Sequence, residues 1–193
     1  MIFFVSIWLV PALGVLSCIY IAHCACRRHR ELDPDDVIPF LRPVDVSLAE
    51  SILDPAAEFA LRWKLSPRDF RQAQRRRMRL YLEVMRRMSH NAKLLAEYAE
   101  SETRRCDARH VSQASTLQDR AIEVRLYVLM ASIELRLWLP LCSNILSKKP
   151  LLAQLRTAGD IDGLQTYDAL KTAAVAAFVR LPPDELAALT RNL

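Results

Sequence analysis

The chain has 193 residues, 52% of them hydrophobic and 25% charged, with a formal net charge of +5. Its three glycines are too few for a phosphate-cradling loop or a dinucleotide fingerprint, and its five cysteines make no disulfide framework. Nucleotide chemistry on a glycine-rich loop and a disulfide-stapled secreted scaffold are therefore both excluded.

Residues 1–26 contain no charged side chain, and Arg27, Arg28, His29 and Arg30 follow at once. An apolar run from Ile2 to Ala25 spans about 36 Å as a helix, enough to cross a bilayer with some tilt. It is read as a retained transmembrane anchor. A cleaved signal peptide has a basic n-region and a shorter apolar core, and a lipobox-like Val15-Leu16-Ser17-Cys18 has the same defect. Arg27, Arg28 and Arg30 on the C-terminal flank, with no basic residue before the helix, predict an outside N-terminus and a cytoplasmic remainder. Twenty-two arginines against five lysines suggest a GC-rich genome, and hence a bacterial inner membrane. Gly14, Cys18, Ala22 and Cys26 recur every fourth residue, a small-residue stripe through which two anchors can approach closely and form a homo-oligomer. Pro11 is a site for a kink.

Residues 27–46 read as a linker, first basic and then acidic, in which Pro34, Pro39 and Pro43 prevent a helix. Val37, Ile38, Phe40 and Leu41 are apolar enough to dock it as an ordered arm. Charge is strongly partitioned beyond the first arginines: residues 31–61 hold eight acids and one base, whereas residues 62–93 hold eleven bases and two acids.

An all-α bundle is expected over residues 47–193. Ser47-Leu-Ala-Glu50 fits a capping box and Asp54-Pro55 an N-cap followed by proline at the first helical position. Ser66-Pro67-Arg68-Asp69 is the clearest start, opening a helix of nearly 60 Å from Pro67 to about Arg105. On this helix Arg68, Arg75, Arg79, Arg86 and Lys93 fall near one line, with Arg71 nearby and Arg76 in the Arg75-Arg76-Arg77 run, while Phe70, Tyr81, Val84, Met88, Leu95 and Ala99 form the core-facing stripe. The arginines sit toward the positive end of the helix dipole, so the ridge does not serve helix stability. A solvated face, anionic lipid head groups, an acidic protein partner and shielding by the acidic arm are the readings of this ridge. Nucleic acid is disfavoured, because the basic stretch offers only Tyr81 for stacking.

Ser115-Thr-Leu-Gln118 looks like a capping box for a helix ending near Leu139. Its apolar residues fall on two arcs, one with Leu117, Val124, Val128, Ala131, Leu135 and Leu139, the other with Ile122, Leu126, Leu129, Ile133 and Leu137. Two apolar faces predict burial between neighbours. Arg125, Glu134 and Arg136 argue against a second membrane span. A short helix is expected from Pro150 to Thr157, another from Asp162 through Leu181 until Pro182-Pro183 breaks it, and a last short one from Asp184 to Arg191. No strands are expected.

No catalytic motif is present. Cys106 and His110, one turn apart if helical, are half of a metal or nucleophile site, and they give the alternative reading of a small membrane-bound enzyme or metal protein. No cofactor is implied, and His90 reads as a surface histidine. Trp63 and Trp138 read as core anchors. The leading expectation is a single-pass, membrane-anchored helical interaction or scaffold module with an unidentified protein partner or anionic lipid on its ridge.

Overall fold

The computed structural model describes residues 37–105, 108–141, 157–158, 161–179 and 182–193. The anchor, the stripe Gly14, Cys18, Ala22 and Cys26, the arginines Arg27, Arg28 and Arg30, and Cys106 lie outside them. So do most of the helix expected from Pro150 and the side chains of His110 and Trp138.

Local chemistry sets the first three helices. Helix α1 (Val46–Leu53) begins at Asp45, whose carboxylate accepts from the Leu48 amide at 2.9 Å. The expected cap at Ser47 is thus displaced by two residues: the Ser47 hydroxyl donates to Asp45 Oδ1 instead, because a carboxylate is the better acceptor. That hydroxyl, more than the Leu48 amide, holds the Asp45 carboxyl below its ordinary range. Helix α2 (Pro55–Lys64) starts as expected, with Asp54 accepting from Ala56 and Ala57 and proline at its first position. Asp54 ends α1 as well, so a single residue turns the chain between the two.

Helix α3 (Pro67–Arg105) has 39 residues, about 58 Å of helix, with the bounds its sequence signals predict. The Asp69 amide donates to Ser66 Oγ, and the Ser66 hydroxyl donates back to the Asp69 carboxylate. Phe70, Tyr81, Val84, Met88, Leu95 and Ala99 are all buried, as their spacing requires.

Helix α4 (Ala108–Leu141) follows after two residues and packs along α3 as the main pair of the bundle. It starts seven residues before the expected Ser115. No proline or glycine interrupts residues 108–115, and the hydroxyls that suggested a cap are used inside the helix: Ser115 Oγ and Thr116 Oγ1 both donate to the Ser112 carbonyl. Leu117, Val124, Val128, Ala131 and Leu135 are buried, but the described residues of the second arc are not. Ile122, Leu126, Leu129 and Ile133 are each between 48% and 57% exposed. The helices that pack on α4 meet its other side, so the expected burial on two faces is corrected to one.

A minimal hairpin pairs β1 (Thr157–Ala158) with β2 (Ile161–Asp162), Thr157 opposite Asp162 and Ala158 opposite Ile161. This corrects two expectations, the absence of strands and a helix extending to Thr157. Two residues per strand are too few for an alternating pattern to register in a sequence. Asp162 then caps helix α5 (Gly163–Ala177), accepting from Leu164 and Gln165, and α5 lies mainly on α4. Helix α6 (Pro183–Asn192) closes the bundle against α5 and the arm. Leu164, Tyr167, Leu170, Ala174 and Phe178 enter the common core, and Phe178 stacks on Tyr98 with ring centroids 4.3 Å apart. Among the described residues the fold is all-α apart from the hairpin.

Candidate functional site

The arm before α1 is ordered by burial and by one polar residue. Val37, Ile38, Leu41 and Val44 are buried around a single 3-10 turn, Ile38–Phe40. Asn91, at the centre of α3 and fully buried, clamps the arm by two bonds: the Arg42 amide donates to Asn91 Oδ1 at 2.9 Å, and Asn91 Nδ2 donates to the Arg42 carbonyl at 2.8 Å. The same nitrogen donates to Tyr167 Oη at 3.0 Å and lies 3.4 Å from the Asn192 carbonyl. Two hydrogens cannot serve three acceptors equally, so the contact with Asn192 is the weakest of the three. Asn91 thus joins the arm, α3, α5 and α6. Arg87 and His90 add bonds to the Pro43 and Phe40 carbonyls. A carbonyl only accepts, so His90 Nε2 carries the proton, and this histidine is an arm contact rather than a bystander.

A second polar pair lies between α3 and α4. The Tyr81 and Tyr127 hydroxyls are 2.6 Å apart and buried. The Tyr127 ring rests directly on the backbone of Gly163, where a Cβ would overlap it. Burial pushes the Tyr81 hydroxyl up to about 12 and the Tyr127 hydroxyl higher still, and the Asp162 carboxylate adds to both. Burial likewise raises Tyr167 to about 12. These are neutral, inward-facing groups that tie helices together. Buried in this way, Tyr81 offers no stacking platform for bases.

The ridge is divided by its neighbours. Arg86 lies 3.6 Å from Glu83, which also meets Arg87, and Lys93 lies 3.8 Å from Glu97. Arg68, Arg75, Arg76 and Arg79 are exposed and make no salt bridge among the described residues. The described acids of the preceding stretch make no salt bridge to them. Asp45 and Asp54 cap helices, and Glu58 is buried.

The field of Glu58 and Asp54 reaches Arg77, the arginine of this run that points inward. Its Nη2 donates to the Ile52 carbonyl at 2.5 Å, an orphan acceptor at the C-terminus of α1. Desolvation lowers its pKa from the ordinary arginine value, and the two carboxylates oppose that shift. Arg77 therefore latches α1 and α2 onto α3, while its sequence neighbours face outward.

Trp63, expected in the core, is 86% exposed. It stands four residues after Phe59 on α2, on the same side of the helix, and Phe59 is exposed too. Trp63 precedes Arg68 by five residues, so an exposed aromatic pair and the unpaired arginines adjoin in the chain. No sequence signal separates a tryptophan of this kind from a core anchor, because both read as one large apolar residue in a short amphipathic helix.

Among the described residues no group of three histidine, cysteine or acidic side chains is arranged to hold a metal, and no helix is long and apolar enough to cross a membrane. No known protein family, no characterised protein and no solved structure matches the chain.

Proposed function

We propose that the chain is a single-pass, membrane-anchored helical interaction module, held by residues 1–26 at a bilayer whose anionic surface meets the N-terminal end of α3. The observation that carries this reading is the group Arg68, Arg75, Arg76 and Arg79, exposed and without acidic partners among the described residues. Near an anionic leaflet each such cation contributes about 1 kcal/mol. Phe59 and Trp63 supply the second half of an interfacial surface, since aromatic side chains favour the head-group layer. Residues 27–36 can extend no further than about 35 Å, which keeps the bundle within reach of the bilayer that holds the anchor.

Trp63 is the built-in reporter. With the full chain reconstituted into vesicles containing brominated lipids, the quenching lost in Trp63→Phe isolates its signal. Strong quenching is expected with about 30% anionic lipid and little with neutral lipid alone, and Arg75→Glu, Arg76→Glu and Arg79→Glu together abolish the difference. Arg77 is left in place because it holds α1. Quenching indifferent to lipid charge points to an acidic protein partner and removes the lipid reading.

A further inference from the structure

From the exposed arc of α4 we infer a second interaction surface: a parallel, two-fold contact between two copies of this chain. Ile122, Leu126, Leu129 and Ile133 follow the alternating four-three-four spacing of a helix-pairing seam and lie within an arc of about 60°. The seam runs about 17 Å along the helix. Met130 is exposed along its edge. A contiguous exposed apolar stripe of this kind marks a contact surface, whereas single exposed apolar residues do not.

The flanking charges select the occupant. Asp119, Glu123 and Glu134 lie on one side of the seam, Arg125 and Arg136 on the other. A two-fold axis parallel to the helices sets the acidic flank of one copy against the basic flank of the next. An antiparallel pair sets like against like. The surface is therefore complementary to itself in the parallel sense, as an isologous contact requires. Acids and bases nearly balance along the seam, so it lacks the cationic excess that an anionic bilayer selects. Glu123 is already held by Arg120 at 2.7 Å, which leaves Glu134 and Arg136 as the pair to reverse. The contact is short of a standard interface of about 800 Å² per partner, so it relies on high local concentration.

Cross-linking of the full chain inside the cell tests this. Position 129 lies on the seam near the two-fold axis, so Leu129→Cys gives a disulfide-linked dimer band under mild oxidant, above that of the unaltered chain. Arg120→Cys, on the opposite side of α4, gives none. Adding Arg136→Glu or Glu134→Arg to the Leu129→Cys chain lowers the band at least about fivefold, because like charges then meet. Co-expressing the two reversed chains restores it. No band beyond the unaltered chain, a band indifferent to charge reversal, or failure of the two reversed chains to recover it overturns the inference. Leu129 is half exposed, so its replacement leaves the core intact. The contact rests on the proposed anchor for its local concentration, and carbonate extraction of the same cells separates the two failures: a lost anchor releases the chain, whereas a failed seam leaves it in the membrane pellet without the dimer band.

Discussion

Gly163 and Gln74 show at the residue scale how this bundle trades space and polarity. The α5 backbone at Gly163 lies so close to the Tyr127 ring that the first atom of any side chain has to displace a buried aromatic. Gly163→Ala should lower stability by about 1–3 kcal/mol despite the better helix propensity of alanine, measured as a drop in melting temperature. Gln74 is the converse case. It is buried among the apolar residues of α3, and neither amide atom finds a hydrogen bond among the described residues. Leaving such a group unsatisfied costs about 1–3 kcal/mol, so Gln74→Met should raise the melting temperature. An unchanged or lower value would show that the amide has a partner. Neither position announces itself in the sequence: one needs the neighbouring ring and the other a list of absent partners.

At the scale of elements, the sequence is most legible where the determinant lies within four residues. Asp54-Pro55, the Ser66 to Asp69 box and Asp162 start their helices as expected, because a cap is satisfied by amides two or three positions away. The length and buried face of α3 follow from its periodicity and from the lack of proline or glycine. What was not legible depends on distant partners. Asn91 has spacing that fits the apolar stripe between Met88 and Leu95, and that polar interruption is its only local sign. Its bonds reach residues 49 to 101 positions away. The exposed arc of α4 has the same composition as the buried one, and only the placement of α3 and α5 separates them. Trp63 differs from a core tryptophan in the same way.

The tyrosines give this scale its pH dependence. Ionisation is disfavoured in the folded state, with Tyr81 and Tyr167 raised to about 12 and Tyr127 above that, against about 10 when unfolded. Their contribution to stability is complete below pH about 10 and is lost as the pH rises through about 12. Phenolate absorbance from these three residues should therefore appear together with loss of helical circular dichroism. Ionisation near pH 10 with the helices intact would contradict the buried tyrosine contacts.

For the whole molecule, the described residues form a bundle whose helices are joined by a few inward-facing polar groups. Asn91, Tyr81, Tyr127 and Arg77 join elements, while two exposed surfaces remain: the aromatic and cationic start of α2 and α3, and the seam on α4. With the proposed anchor in place, both gain strength from confinement. A tether converts weak contacts with a bilayer or a second copy into effectively intramolecular ones. The proposed placement at a membrane rests on the charge-free segment at residues 1–26. Alkaline carbonate extraction of membranes from cells expressing the full chain tests it directly: the protein should stay in the membrane pellet, as an integral helix does. Its release into the supernatant would contradict the anchor and, with it, the placement of the arginines of α3 at a membrane surface.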